Sequence, residues 1–242
     1  MTDIHTHILP GMDDGAADVE TSLSMLRAQC RQGVDAVILT PHFYRRREHI
    51  SQFLTRRRAS AQRLAEALMA LPKEEARALP RLALGAEVAW FPNLADSEDL
   101  DRLTLGASRC LLLELPFQPW TEQMLRQLYE LPGRTGLTPI LAHLERYFKG
   151  QKPQYIEAVL ELGFPVQVSA APLAHPLQRG TVLRLLRQRQ AWYMASDSHN
   201  LTDRPPDLAE GLAVARRKLG DSVADALIQK GDELFRLTQS SK

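Results

Sequence analysis

Residues 3–15 read DIHTHILPGMDDG, so one short segment carries two histidines and three carboxylates around an Ile-Leu pair. In a β-strand, residues i and i+2 point the same way, so His5 and His7 project together, with the intervening residues on the opposite face. Two imidazoles directed at one point can bind one metal ion, and the turn at 13–15 could bring a carboxylate back over it. The segment predicts either a metal site after a first strand or a polar N-terminus that carries histidines by chance.

The bulk composition favours a cytoplasmic α/β protein. At 242 residues and a net charge of +1, the chain can bury a substantial core, and nothing indicates a nucleic-acid partner or a membrane surface. Cys30 and Cys110 lie far apart without a CxxC motif, which argues against a disulfide framework or a thiolate zinc site. We expect no membrane insertion and no signal peptide, because no apolar stretch approaches ~20 residues and the candidate site begins at residue 3.

Short apolar segments alternate with amphipathic segments along the whole chain. We predict strands near 3–8, 34–40, 82–89, 110–115, 138–142, 165–169 and 192–196. Helices are predicted at 18–32, 48–70, 120–131, 153–163 and 177–190, with two C-terminal helices within about 206–237 and a polar linker at 71–80. Mostly apolar strands separated by helices are typical of a parallel sheet buried on both faces. Length and strand count favour one closed α/β barrel, a single domain over 1–242, with an open doubly wound sheet as the alternative.

Metal-competent side chains follow nearly every predicted strand at its C-terminal side. Because the C-terminal rim of the strands is where α/β barrels build their chemistry, we expect these side chains to converge. The candidate ligands are His5, His7, Asp14, His42, Glu87, Glu114, His143, Asp197 and His199. Nitrogen and oxygen ligands without sulfur suit Mn, Fe or Zn in a multinuclear cluster with bridging carboxylates. His49 and His175 lie outside the strand ends, and we interpret both as surface or packing residues.

Several of these residues also have a purely structural interpretation. Glu114 in LLLELPF and Glu87 in LGAEVAW could be buried carboxylates paired with arginine, although an unpaired one would be strongly destabilising. His42 could be a turn histidine, and the DSH segment at 197–199 could cap a helix.

The motifs DIHTHILPGMDDG, TPH, GAEV, LLLELPF, AHLERY and ASDSHNLTDRPP resemble those of the polymerase-and-histidinol-phosphatase (PHP) superfamily. More narrowly, they resemble the manganese-dependent protein-tyrosine phosphatases of bacterial capsule and exopolysaccharide operons. The match runs from residue 3 to about 235. The HxH opening is shared with many amidohydrolases, whereas HxERY together with SDxHN and RPP is much more specific. The resemblance implies a distorted (β/α)7 barrel of the PHP type with a three-metal manganese site at the C-terminal rim of the strands.

The resemblance also implies how the ligands divide among the ions. One ion would be held by His5, His7, Glu87 and Asp197, a second by Glu87, Glu114 and His143, and a third by Asp14, His42 and His199. One nearby departure is Ser169, where relatives often carry Asn or Thr.

Two arginines follow the candidate ligands closely and indicate an anionic substrate. Arg146 lies three residues after His143, and Arg204 lies five residues after His199. A guanidinium presents a planar fork that matches phosphate oxygens and keeps its charge at ordinary pH. Alternatively, each arginine pairs at the surface with the acidic residue that precedes it, where such pairs contribute little.

These features predict a metal-dependent phosphomonoesterase. Metal coordination lowers the pKa of water from 15.7 to about 7, and the arginines neutralise charge on the phosphoryl oxygens. The phenol of tyrosine has a pKa of about 10 and leaves readily, so little general-acid assistance is needed, and a metal-bound water or His42 could supply it. The cysteines lie outside any CxxxxxR phosphate loop, which argues against a cysteine nucleophile.

The resemblance implies a phosphotyrosine protein substrate, specifically the tail of a bacterial tyrosine autokinase in polysaccharide export. Two alternatives stay open. One is a histidinol-phosphatase-like or other small-molecule PHP phosphoesterase, and the other is a non-catalytic regulator that binds phosphotyrosine tails. A metal-dependent deaminase or amidase fits less well, because two arginines suit phosphate better than a neutral substrate.

Overall fold

The computed structural model describes residues 1–239 as short strands alternating with helices. The strands are β1 (Thr2–Thr6), β2 (Ala36–Leu39), β3 (His42–Phe43), β4 (Arg81–Leu84), β5 (Glu87–Ala89), β6 (Cys110–Glu114), β7 (Thr138–Leu141), β8 (Gln167–Ser169) and β9 (Tyr193–Ala195). The helices are α1 (Val19–Arg31), α2 (Ile50–Ala70), α3 (Lys73–Ala78), α4 (Glu122–Thr135), α5 (Pro153–Glu161), α6 (Ala171–Ala174), α7 (Arg179–Arg187), α8 (Leu208–Leu219) and α9 (Asp221–Thr238). Short 3-10 helices cover Leu94–Asp96, Leu100–Leu103 and Leu144–Tyr147.

The strand pairings are parallel, as the alternation of strands and helices predicts. One sheet has the order β1-β2-β4, a second has the order β3-β5-β6-β7, and β8 pairs with β9. Isolated parallel bridges join Leu141 at the end of β7 to Val166, and Thr6 at the end of β1 to Ser198. The predicted mixed α/β class with parallel sheets is confirmed.

Two of the predicted strands are interrupted, which corrects the sequence-based count. The predicted strand at 34–40 stops at Leu39, and the chain resumes after Pro41 as β3, so His42 begins a short strand instead of following one. The predicted strand at 82–89 divides into β4 and β5 around Gly85. A Cβ at Gly85 would lie 2.7 Å from Leu105 Cδ2, so this close approach requires glycine.

The linker predicted at 71–80 is also partly wrong, because it contains the six-residue helix α3. Glu74 and Glu75 occupy the first turn of α3 and Arg77 its last turn, an order that matches the helix dipole. The helices predicted at the C-terminus are present as α8 and α9. The last three residues of the predicted domain, 240–242, lie outside the described residues.

The buried side chains form two clusters. The larger one combines helix residues, such as Leu26 of α1 and Leu212 of α8, with strand residues such as Leu39 and Val168. The smaller one collects apolar residues from six strands together with two residues of α9. Its members include Ile4, Ile38, Ala83, Leu112, Ile140, Ala195, Leu234 and Phe235. Among the described helices, none has the length and apolar character needed to cross a membrane.

Candidate metal centre

Polar side chains at the C-terminal ends of the strands meet at one edge of the sheets. All of the predicted ligands lie there, and all but His143 fall into three overlapping groups whose ligand atoms lie within 4.8 Å of one another. The groups are His5, His7, Glu87 and Asp197; His7, Asp14, His42 and His199; and His42, Glu87 and Glu114. His143 joins them through its Nε2, which lies 2.8 Å from Glu87 Oε1. We call His5, His7, Glu87 and Asp197 the inner group, and Asp14, His42 and His199 the outer group.

The inner group is buried and tightly spaced. The Nε2 atoms of His5 and His7 lie 3.2 Å apart. Glu87 Oε2 lies 3.2 Å from His5 Nε2 and 3.3 Å from His7 Nε2, and Asp197 Oδ1 lies 3.3 Å from each of them. The side chains of His5, His7 and Glu87 are fully buried, and that of Asp197 is 2% exposed. Four ligand atoms of the types that Zn, Mn and Fe prefer therefore face one another in the interior.

The hydrogen bonds of the two imidazoles leave their Nε2 atoms as the metal-binding nitrogens when the rings are neutral. His5 Nδ1 lies 3.0 Å from Gln167 Oε1, and His7 Nδ1 lies 2.7 Å from Asp13 Oδ2. Both partners are acceptors, so in the neutral rings the proton lies on Nδ1 and Nε2 is free to accept. Two lone pairs 3.2 Å apart, with two carboxylate oxygens beside them, repel one another unless a cation lies between them. This arrangement fits a metal ion.

Unsatisfied buried atoms support the same fit. Glu87 Oε2, Asp197 Oδ1, His42 Nδ1 and His199 Nε2 are buried and lack hydrogen-bond partners in the described structure. Buried polar atoms are normally paired, and several unpaired acceptors converging on one place fit the coordination of a cation.

The three carboxylates of the opening stretch have different positions. Asp3 lies beneath the site and accepts hydrogen bonds from Ser196 N at 3.1 Å and from Ser196 Oγ at 2.5 Å. Asp13 orients His7 and also accepts from the backbone of His42 at 2.8 Å. Only Asp14 belongs to the outer group. The turn therefore brings a carboxylate back to the histidines, as the sequence predicts. Two carboxylates lie there, however, and the sequence does not predict that Asp13 positions His7.

A close backbone approach allows this turn to fold back. A Cβ at Gly15 would lie 2.1 Å from His7 O, so only glycine fits there. The amide of Ala16 donates to the same carbonyl at 2.9 Å. His143 and Asp197 have φ values of +34° and +54°, in the left-handed region that non-glycine residues rarely adopt. Such strained residues cluster at functional sites.

The outer group is more accessible than the inner group. The side chain of Asp14 is 67% exposed, and its Oδ1 lies 3.6 Å from His42 Nε2 and 3.5 Å from His199 Nε2. His42 also directs its Nδ1 at Glu87 Oε2, at 2.9 Å, so it connects the outer group to the inner one. Glu114 lies 3.7 Å from His143 Nε2 and is 12% exposed.

The electrostatics of this cluster are governed by burial and by its own members. Burial and the charge of Glu87 raise the pKa of Glu114 to about 7. Burial and the guanidinium of Arg146 lower the pKa of His143 to about 4. Burial lowers the pKa of His7, but Asp13 and neighbouring carboxylates raise it by more, so the net shift is well upward. These opposed shifts show how strongly the crowded charges interact in this site.

Both predicted phosphate-binding arginines lie beside the inner group, with Asp197 as their common partner. Arg204 Nη2 lies 2.6 Å from Asp197 Oδ2, and Arg146 Nη2 bonds the same oxygen. Within residues 1–239, neither arginine forms an ion pair with the acidic residue that precedes it, Glu145 or Asp203. Glu145 is instead half-buried and accepts from the amide of Ser169 at 3.1 Å. Asp197 therefore directs Oδ1 at the inner group and Oδ2 at two cations.

An open cleft of about 280 Å³ leads away from Glu114. Its aromatic lining residues are Tyr44, Trp90, Phe91 and Phe117. The ring of Phe117 is 56% exposed and lies nearly parallel to that of His143, at 14° with centroids 6.5 Å apart. The ring of Tyr44 lies 5.0 Å from that of His42. A flat apolar group can therefore enter beside the cluster between aromatic side chains.

The sequence does not identify Gln167 as a functional residue; only its contacts in the folded structure do. It bonds His5 Nδ1 and also accepts from the backbone amide of His143 at 3.1 Å. A buried glutamine within the strand QVS was the available signal.

The fold and the site together define a metal-dependent α/β hydrolase with two arginines beside its candidate metal centre. The chain belongs to the CpsB/CapC family of capsular polysaccharide synthesis, whose family model matches residues 1–235.

Known relatives match over nearly their full length. The chain is 30% identical to the tyrosine-protein phosphatase YwqE of Bacillus subtilis, over 98% of this chain and 92% of that protein. It is 27% identical to the tyrosine-protein phosphatase CpsB of Streptococcus pneumoniae, over 94% of each. A crystal structure from work on these two proteins, described as unique metal-dependent tyrosine phosphatases, superposes with a TM-score of 0.82 and 27% identity, covering 100% of this chain and 96% of that one.

Proposed function

We propose that this protein is a metal-dependent phosphatase that hydrolyses phosphotyrosine on proteins. The observation that carries the proposal is the pair Arg146 and Arg204 on one oxygen of Asp197, whose other oxygen faces the inner group. This arrangement puts two phosphate-binding forks beside a cluster that fits metal ions. The activity named for the relatives YwqE and CpsB is the same.

We propose the following ligands for a three-ion cluster, with manganese as the metal and iron or zinc as alternatives. His5, His7, Glu87 and Asp197 would hold one ion, Glu87, Glu114 and His143 a second, and Asp14, His42 and His199 a third. The observed groups support this division, with His7 close to the third set and His42 close to the second. The all-nitrogen-and-oxygen donor set suits manganese.

In the mechanism that we propose, the nine candidate ligands would hold metal ions that, when bound, would supply Lewis-acid stabilisation of the phosphoryl oxygens and activate water at neutral pH. Arg146 and Arg204 bind the remaining phosphoryl oxygens and neutralise their charge as the ester bond breaks. Tyr44 and Phe117 hold the phenyl ring and exclude water from it. His42 directs both ring nitrogens at carboxylates of the cluster, so its main role is that of a ligand, and it is also the candidate to assist the departing phenolate.

The aromatic cleft also bears on the alternative of a small-molecule phosphatase. Aromatic walls beside Glu114 favour an aryl phosphate over an aliphatic one such as histidinol phosphate. We therefore expect kcat/KM to be at least about 10-fold higher for a phosphotyrosine peptide than for histidinol phosphate with Mn²⁺ present. Turnover must disappear with EDTA. The reverse order of rates would favour the small-molecule phosphatase, and binding without turnover would favour a non-catalytic regulator.

We further propose that the substrate is the phosphorylated tail of a bacterial tyrosine autokinase in capsule or exopolysaccharide export. Membership of a capsular polysaccharide synthesis family supports this partner. Such a kinase would present its tail in the cytoplasm, where we place this protein, and both cysteines are free, as a reducing compartment favours. Incubation with a phosphorylated kinase tail should release phosphate; an untouched tail beside rapid hydrolysis of metabolite phosphates would contradict the assignment.

For the fold, we propose that the sheets form one distorted (β/α)7 barrel within a single domain spanning 1–242. The bridges Leu141–Val166 and Thr6–Ser198 support closure, since they connect β8 and β9 to β7 and β1. The smaller apolar cluster supports it too, because it draws residues from β1, β2, β4, β6, β7 and β9 into one interior.

A further inference from the structure

The turn between β3 and α2 presents consecutive arginines beside the cleft. Residues 45–47 are all arginine and all exposed. Hydrogen bonds from the amides of Arg47 and Glu48 to Tyr44 O, at 2.9 and 3.3 Å, fix the turn. Arg47 lies over the Tyr44 ring, with its Cζ 4.6 Å from the centroid. Arg45 and Arg46 line the same cleft as Tyr44 and Phe117.

Arg45 also lines a second cavity of about 620 Å³, which shares Phe91 with the cleft. The two spaces therefore form one groove that leads outward from Glu114. The far side of the second cavity carries Asp96, Glu98 and Asp99.

The acidic residues on the far side leave the arginines largely unopposed. Asp96 forms an ion pair with Arg134, and Asp99 pairs with Arg102 at 3.2 Å. Glu98 is the remaining carboxylate of that wall. Within residues 1–239, neither Arg45 nor Arg46 makes an ion pair, and with Glu98 as the one unpaired carboxylate of the far wall the two arginines leave the groove with a net positive charge.

We propose that this arginine pair is a subsite for acidic residues that flank the phosphotyrosine, so that the protein selects phosphotyrosine within acidic peptide segments. The inference rests on the proposed function. A peptide that places its phosphotyrosine ring in the cleft beside Tyr44 and Phe117 has Arg45 and Arg46 within the same lining, where its flanking residues can reach them. An acidic flanking side chain there finds positive charge, while a basic one is repelled, so charge complementarity favours acidic flanks and speeds their encounter with the site.

The test compares two phosphotyrosine peptides that differ only in glutamate or glutamine at the flanking positions. Wild-type protein should give a kcat/KM roughly 2- to 20-fold higher for the glutamate peptide at low salt, and NaCl should remove the difference. The Arg45→Glu/Arg46→Glu variant should reverse the preference. The matched control is Arg217→Glu/Lys218→Glu, which makes the same charge change in the last turn of α8. The control should keep the wild-type preference.

The outcomes separate the two proposals. Equal rates on both peptides in the wild type, or an equal change of preference in both double variants, would overturn the subsite. Failure of the wild type to hydrolyse either peptide would overturn the proposed function and the subsite together. Metal content and thermal unfolding of each variant show whether the site itself is intact.

Discussion

The inner and outer groups of the candidate metal centre use similar side chains but differ in burial and support. In the inner group, Asp13 and Gln167 fix the histidines, and no ligand side chain is more than 2% exposed. In the outer group, Asp14 is 67% exposed. A preorganised, water-excluded set holds its ion tightly, whereas an exposed carboxylate releases its ion readily. With the proposed ligands, the comparison predicts a firmly held inner ion and an exchangeable ion in the outer group.

The largest effect is expected from Glu87→Ala. Glu87 contacts His5, His42 and His143, so its loss removes the carboxylate shared by the inner and outer parts. We expect more than one ion per chain to be lost and turnover to fall on the order of 1,000-fold or more, checked by elemental analysis and steady-state kinetics. Glu87→Gln, which keeps the volume, is the control for packing. Wild-type metal content in Glu87→Ala would remove Glu87 from the centre.

Arg204→Ala should separate substrate binding from metal binding. Arg204 contacts Asp197 Oδ2, while the ligand atom Oδ1 faces the inner group, so metal content should stay unchanged. The loss of a charge-assisted contact should lower kcat/KM roughly 10- to 150-fold. We expect the same of Arg146→Ala. Arg204→Lys should recover only part, because a point charge does not reproduce the guanidinium fork. Full activity of Arg204→Ala would show that Arg204 does not bind substrate.

Asp13→Ala tests whether support from neighbouring residues distinguishes the inner group. Without the Asp13 carboxylate, His7 loses the partner that fixes the orientation of its ring and makes its Nε2 a stronger metal ligand. Metal affinity should fall about 10- to 100-fold, measured by competition with a chelator. Asp18→Asn is the matched control, since Asp18 only caps α1, where asparagine serves as well. Equal affinities in both variants would contradict the positioning role.

The smallest effect concerns Asp207, a half-buried carboxylate that lacks the histidine partners of the inner group. Burial and nearby carboxylates, Asp3 among them, raise the pKa of Asp207 to about 8, and its Oδ1 has no hydrogen-bond partner. The unfolded chain releases this proton near pH 4, so Asp207 lowers stability increasingly as pH rises from about 4 to about 8. Asp207→Asn should therefore stabilise the protein by about 1–3 kcal/mol at pH 8 and by little at pH 4.

Thermal unfolding across this pH range checks the Asp207 prediction. Asp203→Asn, at an exposed position four residues earlier, makes the same charge change and should leave the pH dependence as in the wild type. A gain in Asp207→Asn that does not vary with pH would contradict it.

The sequence predicts which candidate ligands converge better than it predicts the residues that support them. His5 and His7 follow from strand periodicity, and Glu87, Glu114 and His143 follow from their position at strand ends. The roles of Asp13 and Gln167 cannot be predicted in this way. Gln167 contacts His5, which is distant in the chain, and Asp13 contacts His7 through a folded turn. The strand interruption at Gly85 depends likewise on the approach of Leu105, which local pattern does not encode.

The arginines show the same limit. Because Arg146 follows His143 and Arg204 follows His199, the sequence predicts two arginines beside the candidate metal ligands. Only the folded structure shows that both arginines contact the same oxygen of Asp197, since Arg146 and Asp197 lie 51 residues apart in the chain.

The most direct test of the inner and outer division is metal stoichiometry in the wild type and in Asp14→Ala. Both proteins are saturated with Mn²⁺, dialysed, and measured by elemental analysis before and after a brief exposure to chelator. The account predicts about three ions per wild-type chain, falling to about two in the chelator, and about two in Asp14→Ala, unchanged by it. Fewer than about one ion per chain, or simultaneous loss of all ions from both proteins, would contradict it.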